Sequence, residues 1–241
     1  MDTNHKTLCI TTFNAQLYKD YAHRFTDTFP KHYLDLKIYS EESLHSVGST
    51  HLHMHTDFVE RNKHRQVRSY KYDAVRFCFK VYAIAQALED YALDNYTRLL
   101  WVDADTVFHK EFSEEWITEN LYKQDSIMGY AGRSNYYSEC GLLLFNLLHP
   151  KTRSYINTVR NYYDTDNIYL LREYHDSFVW DYARQHYEEQ GHTFNNWAEH
   201  ITDKVPGGHI LVYLYGDYMD HLKGKRKAQG YSQERKSENK Q

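Results

Sequence analysis

Long hydrophobic runs, paired cysteines and a strong charge of either sign are all missing from this sequence. No window approaches the roughly 20 apolar residues of a membrane-spanning helix, and the first residues lack the pattern of a signal peptide. The three cysteines, Cys9, Cys78 and Cys140, are odd in number and scattered. They argue against a disulfide framework or a zinc site and predict a cytoplasmic protein. The net charge of −4 gives no general attraction to nucleic acid or anionic membranes.

At 241 residues and 41% hydrophobic content, the chain can bury one sizeable core, so one domain is expected. It begins with a β-rich run from Thr7 to Phe13, followed by Asn14 as a predicted helix N-cap. Apolar residues then recur at helical spacing, and a second strand is predicted from Leu34 to Tyr39. Strand, helix and strand in this order predict an α/β fold with a mainly parallel sheet flanked by helices.

Further along, residues 42–70 are polar and rich in histidine, with His51, His53 and His55 at alternate positions. Three imidazoles could bind a metal, but no fourth ligand has motif spacing, so an exposed loop is predicted. The clearest helix spans residues 72–92. Strands are predicted in 126–132 and 141–146, helices in 152–164 and 173–190, and a last strand in 209–216.

The stretch from Leu99 to Asp105 stands at the centre of this pattern. Its apolar run predicts a buried strand, and the run ends in two carboxylates, Asp103 and Asp105. Open α/β sheets bind ligands at the carboxyl ends of their strands, so both anions would enter one crevice. A hard divalent cation shared with a substrate diphosphate is their natural partner. Two solvated aspartates are the alternative, but the buried run favours a metal site.

The segment "RLLWVDADTVFHKEF" resembles the metal-binding segment of the GT-A glycosyltransferases, in particular the retaining family of glycogenin and the bacterial lipopolysaccharide galactosyltransferases. The resemblance implies a single GT-A-like (Rossmann-like) domain over residues 1–220. It also implies Mn²⁺ (or Mg²⁺) held by Asp103 and Asp105 against the diphosphate of a nucleotide sugar.

A second match lies near the C-terminus, where His221, Gly224 and Lys227 fit the family's His-x-x-Gly-x-x-Lys spacing. The resemblance makes His221 the third metal ligand and places Gly224 and Lys227 at the diphosphate. Lys223 and Lys225 would add positive charge where the leaving group becomes negative. The family's following Pro-Trp is absent. Residues 221–241 are too polar to fold alone, and we predict a basic flexible tail that closes over the donor.

The resemblance also implies further site residues, although fewer positions match the family's pattern there. Related enzymes place the nucleobase and ribose at the end of the first strand, and the helix before the Asp-x-Asp strand carries a basic residue that reaches the donor. Asp176 aligns with a segment beside the transferred sugar, although it also fits a helix N-cap. Glu139 and Cys140 replace the family's Asn-Ala, so the role of that amide does not carry over. The predicted nucleotide-binding residues are Thr11, Thr12, Phe13, Arg76, Lys80, Asp103, Lys223, Gly224 and Lys227, and the predicted catalytic residues are Asp176, Asp103 and Asp105.

These features predict a hexosyltransferase that uses a UDP-sugar, with UDP-glucose favoured over UDP-galactose by family frequency. The resemblance favours retention of configuration; inversion would need a carboxylate base, for which Asp176, Asp181 or Glu139 could serve. Two other classes stay open. A nucleotide-sugar pyrophosphorylase would want a glycine-rich loop after the first strand, which is missing. A noncatalytic nucleotide- or sugar-binding module would bind without turnover. The sequence does not distinguish a glycan, lipid-linked sugar, protein or modified DNA as the acceptor.

Overall fold

The computed structural model describes residues 6–91, 96–201, 205, 209–233 and 235. The described strands are β1 (Thr7–Thr12), β2 (Asp35–Ser40), β3 (Thr50–His51), β4 (Arg98–Val102), β5 (Thr106–Phe108), β6 (Met128–Arg133), β7 (Tyr136–Asn146), β8 (Asn195–Asn196) and β9 (Met219–His221). Seven of them form one sheet in the order β3-β2-β1-β4-β7-β6-β8, and β5 and β9 form a separate pair.

The large sheet is mainly parallel, as the sequence predicted. Strand β1 pairs in parallel with β2 and β4, β2 pairs in parallel with β3, and β6 pairs in parallel with β8. Only β7 runs against its neighbours β4 and β6. Parallel strands place their carboxyl ends at one edge, so the ends of β1, β2 and β4 form a single ligand-binding edge.

Helices cover both faces of this sheet. The helices are α1 (Ala15–Leu17), α2 (His23–Thr28), α3 (Thr56–Asn62), α4 (Ala74–Tyr91), α5 (Glu114–Asn120), α6 (Thr152–Asp164), α7 (Asp176–Glu189), α8 (Ile210–Tyr215) and α9 (Arg226–Gln229), with a π-helical turn (Tyr18–Ala22) between α1 and α2. The helices α4, α6 and α7 pack on one face, and α2, α5 and α8 pack on the other. The Asn14 side chain accepts from the Leu17 amide (2.9 Å), so the predicted N-cap is confirmed.

Strand β4 is the buried centre of the fold. Leu99 and Trp101 belong to the core on one face of the sheet, and Leu100 and Val102 belong to the core on the other. Alternate side chains of a strand point to opposite faces, so a continuous apolar run is what a strand covered on both sides requires. Each such side chain contributes roughly 1.5–3 kcal/mol by its burial.

Two predicted elements are wrong. Residues 209–216 form α8 instead of a strand: Ile210, Leu211 and Tyr215 are buried while Tyr213 is exposed, which is a helical pattern. A short run of apolar residues does not distinguish the two structures by periodicity.

Residues 42–70 are not simply an exposed loop, since β3 and α3 lie within them. The His55 ring in this segment is buried against Phe79, with centroids 5.0 Å apart.

The predicted domain boundary after residue 220 falls inside β9, and Leu222 beyond it is 1% exposed. The mobility of residues 221–241 stays a prediction. Over the described ranges, no helix combines the length and the apolar character needed to cross a membrane.

Candidate functional site

Asp103 and Asp105 lie directly after β4, in a turn that three hydrogen bonds hold in place. The Asp103 amide donates to the Gly141 carbonyl on β7 (2.8 Å), and the Leu222 amide donates to the Asp105 carbonyl (2.9 Å). The Trp101 indole N–H donates to Asp103 Oδ1 (2.8 Å). These contacts hold both carboxylates at the carboxyl end of the central strand, where the sequence placed them.

The small β5–β9 sheet brings His221 to these carboxylates. His221 lies opposite Thr106 in the antiparallel register. Its Nε2 is 3.1 Å from Asp105 Oδ1 and 3.4 Å from Asp103 Oδ2. One ligand atom from each of the three residues lies within 4.8 Å of the other two. The structure therefore brings together the three residues that the sequence predicted as metal ligands.

Gly141 makes this position of the imidazole ring possible. A Cβ atom on residue 141 would lie 2.3 Å from His221 Cε1 and 2.5 Å from Nδ1, far inside van der Waals contact. The ring thus packs directly on the backbone of β7. Any side chain at this position would displace the ring from the two carboxylates.

The two carboxylates of this group dominate the electrostatics of the site. Burial favours a low pKa for His221, but Asp105, Asp103 and Glu139 raise it to about 10. Burial raises the pKa of Asp105, yet His221 and Lys227 hold it below its usual range in spite of Asp103. Two carboxylates and one imidazole suit Mn²⁺, which accepts nitrogen ligands more readily than Mg²⁺ does. Three protein ligands also leave coordination positions open for phosphate oxygens, so the residues fit a divalent ion.

Lys80 links the aspartate turn to the start of α7. Its buried ammonium group lies 2.8 Å from Asp103 Oδ1 and 2.5 Å from Asp176 Oδ2, and it donates to the Cys140 carbonyl (2.8 Å). Burial lowers the pKa of Lys80, but the two carboxylates raise it above its usual value. The N-cap of α7 is His175, whose Nδ1 accepts from the Phe178 amide (3.4 Å). The alternative role of Asp176 as an N-cap is therefore wrong, and its carboxylate faces Lys80.

The C-terminal segment brings two lysines to the site. Lys227 Nζ lies 2.9 Å from Asp105 Oδ2 and 4.4 Å from the centroid of the Tyr21 ring. The Arg24 guanidinium donates to the Lys227 carbonyl (2.5 Å), which ties the segment to α2. Lys223 pairs instead with Glu139 on β7, and Gly224 between the two lysines has a left-handed backbone (φ +58°). Of these two lysines, Lys227 is thus the one that faces the candidate metal ligands, one of which, Asp103, also contacts Lys80.

Glu139 lies behind the His221 ring and is 3% exposed. Its Oε1 is 3.7 Å from His221 Nδ1 and accepts from the Gly141 amide (3.2 Å), while Arg133 lies 3.5 Å from Oε2. Burial raises the pKa of Glu139, but Lys223, His221 and Arg133 together lower it. All these contacts hold Glu139 in the wall of the site. The sequence singled out Glu139 as the replacement of the family's Asn and as a possible carboxylate base, and that role stays a prediction.

Two cavities meet at this group. The smaller, about 420 Å³, runs along the end of β1 past Tyr21, and the larger, about 1440 Å³, opens between β7 and the start of α7. Both are lined by Arg76, Phe77, Asp103, Asp105, Asp176 and Lys227. The structure thus places Asp103 and Asp105 on a wall that the two cavities share, whereas His221 lines the larger cavity.

Of the three predicted nucleotide-binding residues at the end of β1, two line the smaller cavity and one is buried in the sheet. Thr12 and Phe13 line the smaller cavity, and the Phe13 ring stacks on Tyr18 with centroids 5.7 Å apart. Thr11 is buried in β1 and lines neither cavity. Tyr21 also lines the smaller cavity, a role that the helical spacing of the apolar residues after Asn14 did not indicate.

No family model and no curated protein match this sequence. Among solved structures, a glycosyltransferase involved in the glycosylation of the major capsid of PBCV-1 aligns over 93% of this chain and 99% of its own, with 13% identity and a TM-score of 0.52. Mouse xyloside xylosyltransferase 1 aligns over 80% and 84% (15% identity, TM-score 0.46), and the galactosyltransferase LgtC over 72% and 69% (11% identity, TM-score 0.42). The first similarity shows a GT-A-type fold, so the predicted resemblance is confirmed at the level of the fold.

Proposed function

We propose that this protein is a metal-dependent glycosyltransferase that transfers a hexose from a UDP-sugar, UDP-glucose being the favoured donor, to an acceptor hydroxyl. One observation carries the proposal: in a GT-A-type fold, Asp103 and Asp105 lie on the wall shared by two cavities, and His221, which lines the larger cavity, converges on them. The smaller cavity would take the nucleoside and the larger one the acceptor. The sugar would then lie where the two cavities meet.

Asp103, Asp105 and His221 would hold Mn²⁺ or Mg²⁺, and the bound ion would act as a Lewis acid on the departing diphosphate. Binding the ion requires the neutral imidazole, so a proton must leave His221. Lys227 would move from Asp105 to a phosphate oxygen, a short step because its ammonium group already lies in both cavities. Arg76, which lines both cavities and for which the described residues provide no ion pair, would add a second positive charge.

Asp176 would act beside the transferred sugar. Lys80 holds the Asp176 carboxylate within 2.5 Å and at the same time contacts Asp103. A fixed anion next to the anomeric carbon stabilises the positive charge that develops there as the bond to the diphosphate breaks. We propose retention of configuration on the strength of the family resemblance.

We also propose that the segment from His221 onward closes over the donor. Its described part contacts the site through Lys227 and β7 through Lys223, so anion binding would favour the closed arrangement. Closure of such a segment shields the reaction from water and reopening releases the product. The three cysteines, all free and buried, support a cytoplasmic location.

The test is a screen of UDP-, GDP- and dTDP-sugars for release of the nucleoside diphosphate, with Mn²⁺ and with EDTA. We expect UDP release from UDP-glucose only with the metal. Asp105→Asn should lower turnover by roughly 100-fold or more, and the exposed Asp27→Asn control should match the wild type. Turnover that survives EDTA would refute the metal site. Binding of UDP without turnover would indicate the noncatalytic module, and pyrophosphate-dependent formation of UTP would indicate the pyrophosphorylase.

A further inference from the structure

The wall of the larger cavity beyond the metal group is rich in aromatic side chains. Tyr70, Tyr136 and Tyr137 all line it. Tyr70 is 59% exposed and Tyr136 is 65% exposed, although both face a concave surface. Large aromatic rings that are left open in a cleft, each with a polar hydroxyl at its end, are typical of ligand-binding walls.

This wall is also firmly supported. The His175 ring contacts both Tyr137 (5.1 Å between centroids) and Tyr70 (6.1 Å). Glu173 fixes His175 through Nε2 (2.9 Å) and accepts from the Tyr137 hydroxyl (3.1 Å). Arg172 lies over the Tyr137 ring (5.9 Å) and donates to its hydroxyl. A wall whose side chains are held in this way binds with little loss of conformational entropy.

The wall begins next to the site of transfer. His175 precedes Asp176 directly in the chain, and both residues line the larger cavity. A molecule lying against Tyr137 and Tyr70 would therefore end close to the carboxylate that we place beside the transferred sugar. This position is the one that an acceptor must occupy.

The charges of the cavity give it no strong attraction for a polyanion. Its lining includes seven Lys and Arg side chains and six Asp and Glu side chains, so the opposite charges nearly balance. Several of them neutralise one another, as Arg184 does with Asp181 (3.2 Å) and Lys223 with Glu139. A nucleic acid or a sulfated glycan would need an excess of positive charge along its path.

We infer that this cleft binds a neutral oligosaccharide acceptor, with sugar rings packed against Tyr70, Tyr136 and Tyr137. The inference rests on the proposed function, because it assigns the acceptor of the same site. The volume of about 1440 Å³ exceeds the roughly 300–1,000 Å³ of a pocket for one small ligand, so more than one sugar unit fits. In the reaction the acceptor hydroxyl oxygen bonds to the anomeric carbon, the bond from that carbon to the UDP oxygen breaks, and the hydroxyl proton leaves to the departing diphosphate.

The experiment has two stages on the full chain with UDP and Mn²⁺. An array of neutral and anionic oligosaccharides, with a single-stranded DNA 12-mer alongside, first identifies the binders. Calorimetry then compares the best neutral oligosaccharide on the wild type, Tyr136→Ala, Tyr70→Ala and the control Tyr213→Ala. Tyr213 on α8 is 58% exposed and lines neither cavity.

We expect neutral oligosaccharides to bind, with affinity lowered roughly fivefold by Tyr136→Ala or Tyr70→Ala and unchanged by Tyr213→Ala. The inference is overturned if no neutral glycan binds, if an anionic ligand binds best, or if the cavity variants match the control. Hydrolysis of UDP-glucose by the wild type without acceptor separates the two proposals. Glycan binding with no UDP release from UDP-glucose, with or without that glycan, would refute the proposed function and leave only a glycan-binding cleft, whereas UDP release without glycan binding would refute the acceptor assignment alone.

Discussion

Gly141→Ala tests the metal site by the smallest possible change, one methyl group on a residue that is not a ligand. The added Cβ would lie 2.3 Å from Cε1 of His221, 2.5 Å from Nδ1 and 3.0 Å from Nε2. Carbon atoms in contact need about 3.5 Å, so the ring must retreat by roughly 1 Å or more. Such a retreat changes the geometry of the donor atoms without removing any of them.

The backbone of His221 cannot follow the ring freely. β9 pairs with β5 in a register that sets His221 opposite Thr106, and the Leu222 amide donates to the Asp105 carbonyl (2.9 Å). The displacement therefore falls on the imidazole side chain, which rotates away from the aspartates. Lost orientation of a metal ligand typically costs 10–100-fold in metal affinity, and we expect a loss of about this size.

The assay is the binding of Mn²⁺ in the presence of UDP, measured by electron paramagnetic resonance of the free ion and paired with the Mn²⁺ dependence of UDP-glucose turnover. Gly129→Ala on β6 is the matched control, because its Cβ would lie 2.7 Å from the Trp197 ring, outside the metal group. Both variants should lose about 1–3 kcal/mol of stability through overpacking. Only Gly141→Ala should lose Mn²⁺ affinity. Wild-type Mn²⁺ affinity in Gly141→Ala would refute His221 as a ligand.

Three further variants test other parts of the site and the core. Lys80→Met leaves the buried Asp176 and the half-buried Asp103 carboxylates without their shared cation, so the free energy of unfolding in urea should fall by about 3 kcal/mol or more; an unchanged value would contradict this. Glu139→Gln removes the charge that holds Lys223, so trypsin should cut after Lys223 faster than in the wild type, and equal rates would argue against this anchor. Burial and two neighbouring histidines lower the pKa of His55 below 6.5. Below this pH the unfolded chain therefore binds more protons than the folded protein, and stability should fall as the pH drops. His55→Phe should flatten that fall in melting curves recorded at several pH values.

Local sequence patterns predicted the parts of this fold that are set by local physics. The continuous apolar run before Asp103 requires a strand that is covered on both faces, and β4 is covered on both faces. Asn14 caps its helix because its side chain needs only a neighbouring amide. For the run from Ile210 to Tyr215 the prediction of a strand was wrong, because apolar residues at every position fit a strand and a helix equally well.

Contacts between distant segments were harder to predict. Glu139 stood out in the sequence as a departure from the family's Asn and as a possible carboxylate base, but its partners could not be predicted, because Arg133 lies on β6, His221 on β9 and Lys223 after β9. Gly141 matched the family's strand and hinted at a site, but its contact could not be predicted, because the ring that packs on it belongs to a residue 80 positions away. Such contacts depend on the packing of the whole chain, which a pattern within one segment does not encode.

The position of His221 explains why the two ends of the site must form together. Asp103 and Asp105 occupy the turn between β4 and β5, while His221 is the last residue of β9, which pairs only with β5 among the described strands. A strand pair of three residues is weak by itself. An ion held by all three residues would join β9 to the central strand, and at 100 times its dissociation constant it would add about 2.7 kcal/mol to that attachment. If the ion binds as proposed, metal binding and docking of the C-terminal segment would be one coupled equilibrium, in which each stabilises the other by the same free energy.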